Sequence, residues 1–406
     1  MRVEKRKLKW IGIGAGIIIV ICLLFLMLNT RIKKDNSAFE LKNDLVAEVY
    51  SNVSVKDFIK KINGKVLEDK KIDTKKLGTQ EIEFLYVNSQ NKKRRGTFSI
   101  EVKDTEHPLV WLSNRYSVKV GSDINLEEAI MCADNYDNNP SCKVVGDYDI
   151  NTPGSYKLSY IATDSSKNTN KIDFVLNVYE PVEATSTSAQ EVPKSVTAFH
   201  EVIETHKNDH TEIGIDVSKW QKEVDFAKVK QAGASFVMLR VGSQKGMNGE
   251  YVLDPYFEKN IENALKNNLK VGIYFYSYAD SIKEAKKQAK WVLKHIEKYK
   301  IELPIAFDWE CYNSFNQMEL SLFNLNEIAE AFLKEVEKKE YKGILYGSKN
   351  YLNDIWKYHD YDVWLAHYTK ETDYDGDYVF WQLCENGQID GIETPVDINV
   401  WYKNTK

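Results

Sequence analysis

The stretch that decides the fold is Leu303-Pro304-Ile305-Ala306-Phe307-Asp308-Trp309-Glu310. An apolar run beside a proline indicates a buried strand, and this one ends on two carboxylates. Because alternate side chains of a strand share a face, Asp308 and Glu310 should project together, roughly 6–7 Å apart at the backbone. Glycoside hydrolysis uses two carboxylates at about that separation, one protonated and one ionised. Taken alone, the motif more often marks an acidic strand end exposed to solvent.

From Thr211 onward, short apolar strands alternate with longer amphipathic helices, which predicts parallel strands joined by crossover helices. About eight strands in so short a segment predict a compact modified (β/α) TIM-like barrel, with its chemistry at the C-terminal strand ends. The predicted strands are 212–217, 236–240, 270–276, 303–310, 343–346, 363–366, 379–383 and 396–400, and the predicted helices are 224–231, 256–267, 282–298 and 325–339.

Four acidic residues fall at these strand ends: Asp216, Asp308, Glu310 and Asp397. Aromatic residues occupy similar positions. Sugars present apolar ring faces together with hydroxyl groups, so aromatic platforms beside carboxylates suit an oligosaccharide groove. Core packing explains any one of the aromatic residues, but the joint pattern favours a groove. The predicted substrate-binding residues are Trp220, Tyr274, Tyr276, Tyr278, Tyr346, Trp364, Tyr368, Trp381 and Gln382.

Five motifs, in order over residues 211–402, resemble glycoside hydrolase family 25. The resemblance implies a barrel that cleaves the β-1,4 bond between N-acetylmuramic acid and N-acetylglucosamine in peptidoglycan. The four acids stand at the motif positions. A chitinase-type barrel would need a DxxDxDxE run, of which only the last two acids occur. The motifs are IGIDVSKWQ (213–221), IAFDWE (305–310), VWLAHY (363–368), FWQL (380–383) and VDINVW (396–401).

In the mechanism we expect from this resemblance, Glu310 is the general acid, its pKa raised by burial and by neighbouring acids. Asp308 either stabilises the developing positive charge or orients the substrate's acetamido group. Asp216 and Asp397 position water or sugar and keep Glu310 protonated. This chemistry requires no metal and no cofactor.

The N-terminus contains an apolar, uncharged run at residues 10–28, long enough to cross a bilayer as a helix. A cleaved signal peptide is the alternative, but it has a shorter apolar region and small residues at its cleavage site, which this run lacks. More Lys and Arg residues precede the run than follow it, so the positive-inside rule places the N-terminus in the cytoplasm. We predict a cytoplasmic segment at residues 1–9, a transmembrane signal anchor at 10–30, and everything beyond it outside the cell.

The middle of the chain contains a repeat, because residues 71–104 align with 147–180 at a constant offset of 76. Each copy alternates apolar and polar residues on both sides of a turn, which predicts a hairpin with one buried face. We predict two all-β sandwiches, at 39–104 and 105–180. The run G-x-Y-x-x-x-Y-x-A-x-D at 154–164 resembles bacterial immunoglobulin-like modules of surface proteins. Such modules bind wall polymer or act as spacers, and we favour spacers.

Residues 181–210 are rich in Ser, Thr, Pro and Glu, which predicts an extended linker; a short helix at 198–205 is compatible with the sequence. The catalytic domain would then cover 211–406. Cys132 and Cys142 flank a turn-rich loop, and a disulfide and two free thiols are equally compatible with their spacing. The remaining cysteines after the anchor are expected to be buried small hydrophobes, and the histidines show no metal-ligand spacing.

A formal charge of −5 on 406 residues argues against a nucleic-acid binder. The sequence as a whole predicts a muramidase of the cell surface, held in the membrane by its N-terminal helix and acting on peptidoglycan strands. Its role would be remodelling of the cell's own wall, or local wall opening for an envelope-spanning machine. The alternatives are a catalytically idle peptidoglycan-binding surface protein and a secreted enzyme released by signal cleavage.

Overall fold

A computed structural model describes residues 32–181 and 196–403 of the chain. The transmembrane span predicted at residues 10–30 lies outside the described residues. Within the described ranges, no helix is both long and apolar enough to cross a membrane. The chain divides into two compact units, Met1–Thr105 and Glu106–Lys406.

The first unit is an all-β structure built on the predicted hairpin. Strands β5 and β6 pair in antiparallel register, with Gly78 opposite Val102, and bury one face that includes Phe84 and Phe98. The sheet order is β2-β6-β5-β4, and β1 pairs with β3 separately. The elements are β1 (Phe39–Leu41), β2 (Val46–Glu48), a 3-10 helix (Val55–Phe58), β3 (Ile59–Ile62), β4 (Gly64–Val66), β5 (Gly78–Asn88) and β6 (Lys93–Lys103).

The second unit begins with the second copy of the repeat. Its hairpin places Gly154 opposite Val178, the same register as in the first copy shifted by 76 residues, so both predicted hairpins are confirmed. The sheet order is β10-β11-β12-β8, with a separate β7–β9 pair. The immunoglobulin-like assignment itself stays a prediction. The elements are β7 (Leu109–Trp111), β8 (Arg115–Lys119), α1 (Leu126–Ala129), β9 (Met131–Ala133), β10 (Ser141–Val145), β11 (Gly154–Thr163) and β12 (Thr169–Tyr179).

The predicted linker at 181–210 is wrong for its second half. Residues Thr197–Ala198 form strand β13, which pairs in parallel with the edge strand β21 (Phe380–Gln388). Helix α2 (Phe199–His206) follows and buries Phe199 and Val202 in the core of the barrel. These two side chains lie three residues apart on one helix face, which is enough to dock a short helix that is otherwise polar.

The rest of the unit is a closed eight-stranded barrel in the order β21-β20-β19-β18-β17-β15-β14-β22, with β21 and β22 pairing to close it. The motif at residues 303–310 forms strand β18, which is buried along its whole length. The barrel elements are β14 (Thr211–Val217), α3 (Phe226–Gln231), β15 (Phe236–Gln244), β16 (Tyr251–Leu253), α4 (Phe257–Lys266), β17 (Lys270–Ser277), α5 (Ile282–Ile296), β18 (Ile305–Trp309), a 3-10 helix (Tyr312–Gln317), α6 (Leu322–Glu337), β19 (Gly343–Ser348), α7 (Lys349–Asp354), β20 (Val363–Ala366), β21 (Phe380–Gln388) and β22 (Val396–Tyr402).

Strand β22 corrects the prediction of uniformly parallel strands. It pairs antiparallel with both of its neighbours, β14 and β21, whereas the other barrel strands run parallel to one another. Only a short turn region separates β21 from β22, which leaves no room for a crossover helix. The start of β22 therefore lies at the same barrel edge as the C-terminal ends of the other strands.

Two hydrophobic layers follow from the strand alternation. Inward-facing side chains of the strands, such as Met238, Ala306 and Ile344, fill the barrel, while their sequence neighbours pack under the helices. The two long helices, α5 and α6, each begin after a serine cap. At the start of α5, the hydroxyl of Ser281 accepts a hydrogen bond from the backbone amide of Glu284. Ser321 caps α6 in the same way.

The second repeat packs directly on the barrel, and its role as a spacer stays a prediction. The side-chain oxygen of Asn316, in the 3-10 helix after β18, accepts a 3.0 Å bond from the amide of Cys132. The amide of Leu322 donates to the carbonyl of Asp134 at 2.7 Å, and Trp111 stacks edge-on against Tyr312. Repeat and barrel thus share one folded unit, and the repeat holds the segment that follows Glu310.

Candidate active site

The four predicted acids come together at one edge of the barrel. Asp216 is near the end of β14, Asp308 lies in β18, and Glu310 is the first residue after that strand. Asp397 is the second residue of the antiparallel strand β22 and lies directly opposite Asp216 in the ladder. The reversed direction of β22 is therefore what brings the start of this strand to the C-terminal edge of the others.

A cleft of about 220 Å³ lies over these acids. It brings together seven of the nine predicted substrate-binding residues: Trp220, Tyr274, Tyr276, Tyr346, Trp364, Tyr368 and Gln382. Its other lining residues are Ser218, Gln221 and Arg240, which the sequence analysis did not select. The side chain of Trp220 is 68% exposed and that of Tyr368 is 50% exposed, so these two rings offer open faces at the rim of the cleft.

Trp381 and Tyr278 do not line this cleft, so the structure does not bring these two predicted substrate-binding residues together with the other seven. Trp381 packs under the helices, where its indole N–H donates to the carbonyl of His367 at 2.9 Å. It points away from the cleft because its neighbours Phe380 and Gln382 face the barrel interior. Tyr278 follows β17 and packs against the outer core, with its ring 5.5 Å from that of Tyr276.

Asp216 and Asp397 form a hydrogen-bonded carboxyl pair with very different surroundings. Asp216 Oδ2 accepts bonds from the amide groups of Asn399 at 2.8 Å and Gln382 at 2.9 Å. Burial raises the pKa of Asp216 to about 6, although these two donors oppose the rise. Burial and the negative charge of Asp216 raise the pKa of Asp397 to about 9. At neutral pH the pair therefore carries one proton, on Asp397, and one negative charge, on Asp216.

Asp308 and Glu310 form the second carboxyl pair. Asp308 is buried, and burial together with the charge of Glu310 raises its pKa well above the usual value. Glu310 is half-buried; burial raises its pKa, and the charge of Asp216 acts in the same direction. Asp308 Oδ1 has no hydrogen-bond partner among the described residues. A hydrogen bond with Asp308 opposes the rise in the pKa of Glu310, which is the more accessible member of the pair.

A layer of neutral side chains fixes the orientation of these acids. The hydroxyl groups of Tyr346 and Tyr368 both donate to Gln382 Oε1, at 2.9 and 3.1 Å. This fixes the Gln382 amide so that its nitrogen points at the carboxylates. The indole N–H of Trp364 donates to Asn399 Oδ1 at 2.8 Å, which turns the Asn399 nitrogen towards Asp216. The aromatic residues of the cleft are thus also positioning residues.

Arg240 is the principal residue that the sequence analysis missed. It lines the cleft from β15, and its charge opposes the rise in pKa of both Asp216 and Asp308. Its guanidinium donates twice to Asp254 Oδ2, at 3.0 and 2.8 Å, in a nearly buried ion pair. The sequence did contain a signal for this ion pair. Arg240 is a charged residue inside an otherwise apolar strand, and Asp254 is an acid that directly follows the next strand.

The motif residues Ser218 and Gln221 build the turn that carries Trp220. Gln221 Oε1 accepts the amide of Ser218 at 3.0 Å, and Gln221 Nε2 donates to the carbonyl of Pro395 at 3.0 Å. The turn after β14 is thereby tied to the residue before β22. Asn399 was also missed, although as the second residue after Asp397 in a strand it had to share its face.

Cys132 and Cys142 form a disulfide, which resolves the two alternatives that the sequence left open. The bridge closes the loop that contacts the barrel. Cys311 and Cys384 are free and buried, as expected. Burial raises the pKa of the Cys311 thiol to about 12, so it remains a neutral thiol beside the acids.

Comparison with known proteins places residues 215–392 in the family described as "Glycosyl hydrolases family 25". The chain is also similar to the "Uncharacterized protein YegX" of Escherichia coli K12. The two are 34% identical over 193 residues, which is 46% of this chain and 68% of the relative. YegX of Escherichia coli O157:H7 is 33% identical over the same length.

Solved structures show weaker similarity. A family 25 glycosyl hydrolase from Bacillus anthracis aligns with a TM-score of 0.42 at 24% identity, covering 49% of this chain and 92% of that one. The spore cortex lytic enzyme SleM of Clostridium perfringens aligns with a TM-score of 0.42 at 18% identity, covering 49% and 69%.

Proposed function

Because the chain belongs to glycosyl hydrolase family 25, we propose that it is a muramidase. The reaction is hydrolysis of the β-1,4 bond between N-acetylmuramic acid and N-acetylglucosamine in peptidoglycan. The observation that carries this proposal is the meeting of two carboxyl pairs with raised pKa values, Asp308–Glu310 and Asp216–Asp397, in one aromatic-lined cleft. Glycoside hydrolysis needs an acid that is still protonated near neutral pH beside a carboxylate that is ionised.

Glu310 delivers the proton. It is the more exposed member of its pair, so its carboxyl group can reach the glycosidic oxygen of a sugar chain lying in the cleft. Burial and the negative charge of Asp216 keep its pKa raised. Proton donation to the leaving oxygen lowers the barrier to breaking the bond and typically raises the reaction rate by a factor of about 10² to 10⁴.

Asp308 acts on the sugar ring whose bond is broken. Its buried Oδ1 can accept the N–H of an acetamido group, since no described residue uses that oxygen. Once Glu310 has given its proton to the leaving oxygen, the Asp308–Glu310 pair carries one more negative charge. This added charge stabilises the positive charge that develops at the anomeric carbon.

Asp216 supplies the constant negative charge of the site, which two amide donors fix in place. This charge favours retention of the proton on Glu310 and on Asp397. With Asp397, it also forms a polar patch on the cleft wall that can hold the attacking water or a sugar hydroxyl.

Product analysis tests the proposal. The purified full chain is incubated with peptidoglycan, and the new reducing ends are identified by borohydride reduction and mass spectrometry. We expect muramitol, the product of a reducing N-acetylmuramic acid end. Glucosaminitol would assign the other glycosidic bond and refute the muramidase proposal. Intact glycan that nevertheless sediments with the protein would favour the idle peptidoglycan-binding protein.

We propose in addition that the apolar run at residues 10–30 anchors the enzyme in the membrane with its barrel outside the cell, where it remodels the wall or opens it locally. Protease digestion of intact, wall-stripped cells should remove the barrel while leaving an N-terminal peptide in the membrane. Protection of the barrel from protease would contradict this orientation, and recovery of the full chain in the medium would indicate secretion.

A further inference from the structure

A second cavity, of about 910 Å³, lies beside the catalytic cleft. Tyr368 lines both cavities, so the two adjoin at its half-exposed ring. One wall of this side groove is formed by β13 and α2, and the other by the segments that follow β20 and end β21. The side groove is within the size range of sites that bind small molecules and short peptides.

The β13–α2 wall precedes residues 215–392, which match the family. Strand pairing fixes it to the barrel, with Thr197 opposite Gly387. The hydroxyl of Thr197 also donates to Asn386 Oδ1 at 3.0 Å. The wall is therefore a built part of the barrel edge.

The side groove has charges of both signs. Glu201 stands on the α2 wall, Glu385 on the β21 wall, and Lys370 on the segment after β20; all three are exposed. The charge of Glu385 reaches the catalytic cleft, since it contributes to the raised pKa values of Tyr368 and Asp397. A ligand that extends from the cleft into the side groove would meet both carboxylates and the ammonium group.

We propose that the side groove binds the peptide substituent of the glycan while the sugar chain occupies the catalytic cleft. This inference rests on the proposed function, because the muramoyl sugar of peptidoglycan bears a short peptide on its lactyl group. Such a peptide contains ionised carboxylates and, in its diamino acid, a free amine. Lys370 complements the carboxylates, and Glu201 and Glu385 complement the amine.

The lining favours a peptide over more sugar. Tyr368 and His206 are the only aromatic residues of the described chain on its walls, whereas the catalytic cleft is aromatic on several sides. The apolar part of the lining comes from aliphatic residues such as Val202 and Leu383. Such an aliphatic surface fits the methyl groups of alanine residues. Sugar rings, in contrast, stack on aromatic rings, of which this groove has few.

The experiment compares two soluble substrates, uncross-linked peptidoglycan strands and the same strands from which an amidase has removed the peptides. The full-length wild-type chain should show a lower KM for the peptide-bearing strands. The double variant Glu201→Gln, Glu385→Gln should raise KM for these strands about three- to tenfold, as expected for loss of two solvent-exposed charge pairs. Its KM for stripped strands should stay unchanged, and any change in kcat, which follows from the influence of Glu385 on the pKa of Asp397, should be the same for both substrates.

A matched control is the double variant Glu297→Gln, Glu340→Gln, which changes the net charge equally. These residues follow α5 and α6, at the barrel edge opposite the cleft, and should leave both KM values unchanged. Thr205→Trp, on the exposed face of α2 in the side groove, should raise KM for peptide-bearing strands only.

Equal KM values of the wild type for the two substrates would overturn the proposal, as would an equal effect of the groove variant on both KM values. If deletion of residues 182–195 increased activity equally on both substrates, the groove would belong to the chain's own preceding segment. Cleavage of neither substrate would refute the muramidase function itself, which distinguishes that failure from failure of the groove.

Discussion

Replacing Asp216 by asparagine should stabilise the barrel unit at pH 8 although it abolishes activity. Burial raises the pKa of Asp216 from an ordinary 3.8 to about 6. A carboxyl with a raised pKa binds its proton more tightly in the folded state. Its stabilising contribution is therefore complete below about pH 3.8 and is lost as the pH rises through about 6. The difference between the two pKa values corresponds to about 3 kcal/mol of unfolding free energy.

Asparagine can keep the local hydrogen bonds. Asn399 and Gln382 both donate to Asp216 Oδ2, so an amide oxygen in that place accepts both bonds. The amide nitrogen then faces Asp397, whose pKa falls because the charge of Asp216 is gone. Both changes favour the folded variant at alkaline pH. Between pH 3 and pH 8, the wild type should lose about 2–3 kcal/mol more stability than D216N.

Urea denaturation followed by tryptophan fluorescence measures this difference. Of the nine tryptophans only Trp10 precedes residue 106, so the signal reports on the barrel unit. The control is D149N: hydrogen bonds from Thr152 and Asn151 lower the pKa of the exposed Asp149, so that variant should lose stability at high pH instead. The same pH dependence in wild type and D216N would refute the electrostatic account of this site.

Three further predictions concern stability in the same assay. Arg240→Met should lower the unfolding free energy by about 3–5 kcal/mol, because it leaves the buried carboxylate of Asp254 without its cation. Cys132→Ser combined with Cys142→Ser should cost about 2–3 kcal/mol, the chain entropy of a loop with a sequence separation of 10. Asn316→Ala should cost about 1–3 kcal/mol, because it removes the side chain that binds the amide of Cys132 and the carbonyl of Ile130.

Each of these has its own check. Lys245→Met breaks the exposed pair with Glu250 and should change stability by less than about 1 kcal/mol, unlike Arg240→Met. A reducing agent should destabilise the wild type and leave the cysteine double variant unaffected. An Asn316→Ala variant as stable as the wild type would mean that the second repeat does not support the segment after Glu310.

Much of the barrel was predictable because its strands are short apolar runs separated by periodic helices. The strand at 363–366 has the predicted bounds, and the helix predicted at 282–298 ends only two residues earlier, at Ile296. Strand direction was not predictable for Val396–Tyr402, since apolar alternation is the same in parallel and antiparallel strands. The connection before this strand is too short for a crossover helix, and its length was the available evidence for an antiparallel strand.

In the candidate site, the acids were predictable because they lie at or near the ends of apolar strands. The direction in which individual side chains of these strands point was not predictable. Trp381 and Gln382 are adjacent in one motif, and only the strand register decides which of them reaches the cleft. Helix α2 was left open within the predicted linker, because its stability comes from docking Phe199 and Val202 on the barrel rather than from its own sequence.

The most direct test of the proposed mechanism is the rate at which Glu310→Gln releases reducing ends from peptidoglycan, measured beside its co-sedimentation with the polymer. Glutamine keeps the shape and polarity of the side chain but cannot donate an acidic proton. We predict a loss of about 10² to 10⁴ in kcat with binding retained. A variant that hydrolyses peptidoglycan at the wild-type rate would contradict the assignment of Glu310 as the acid and the account of the site built on it.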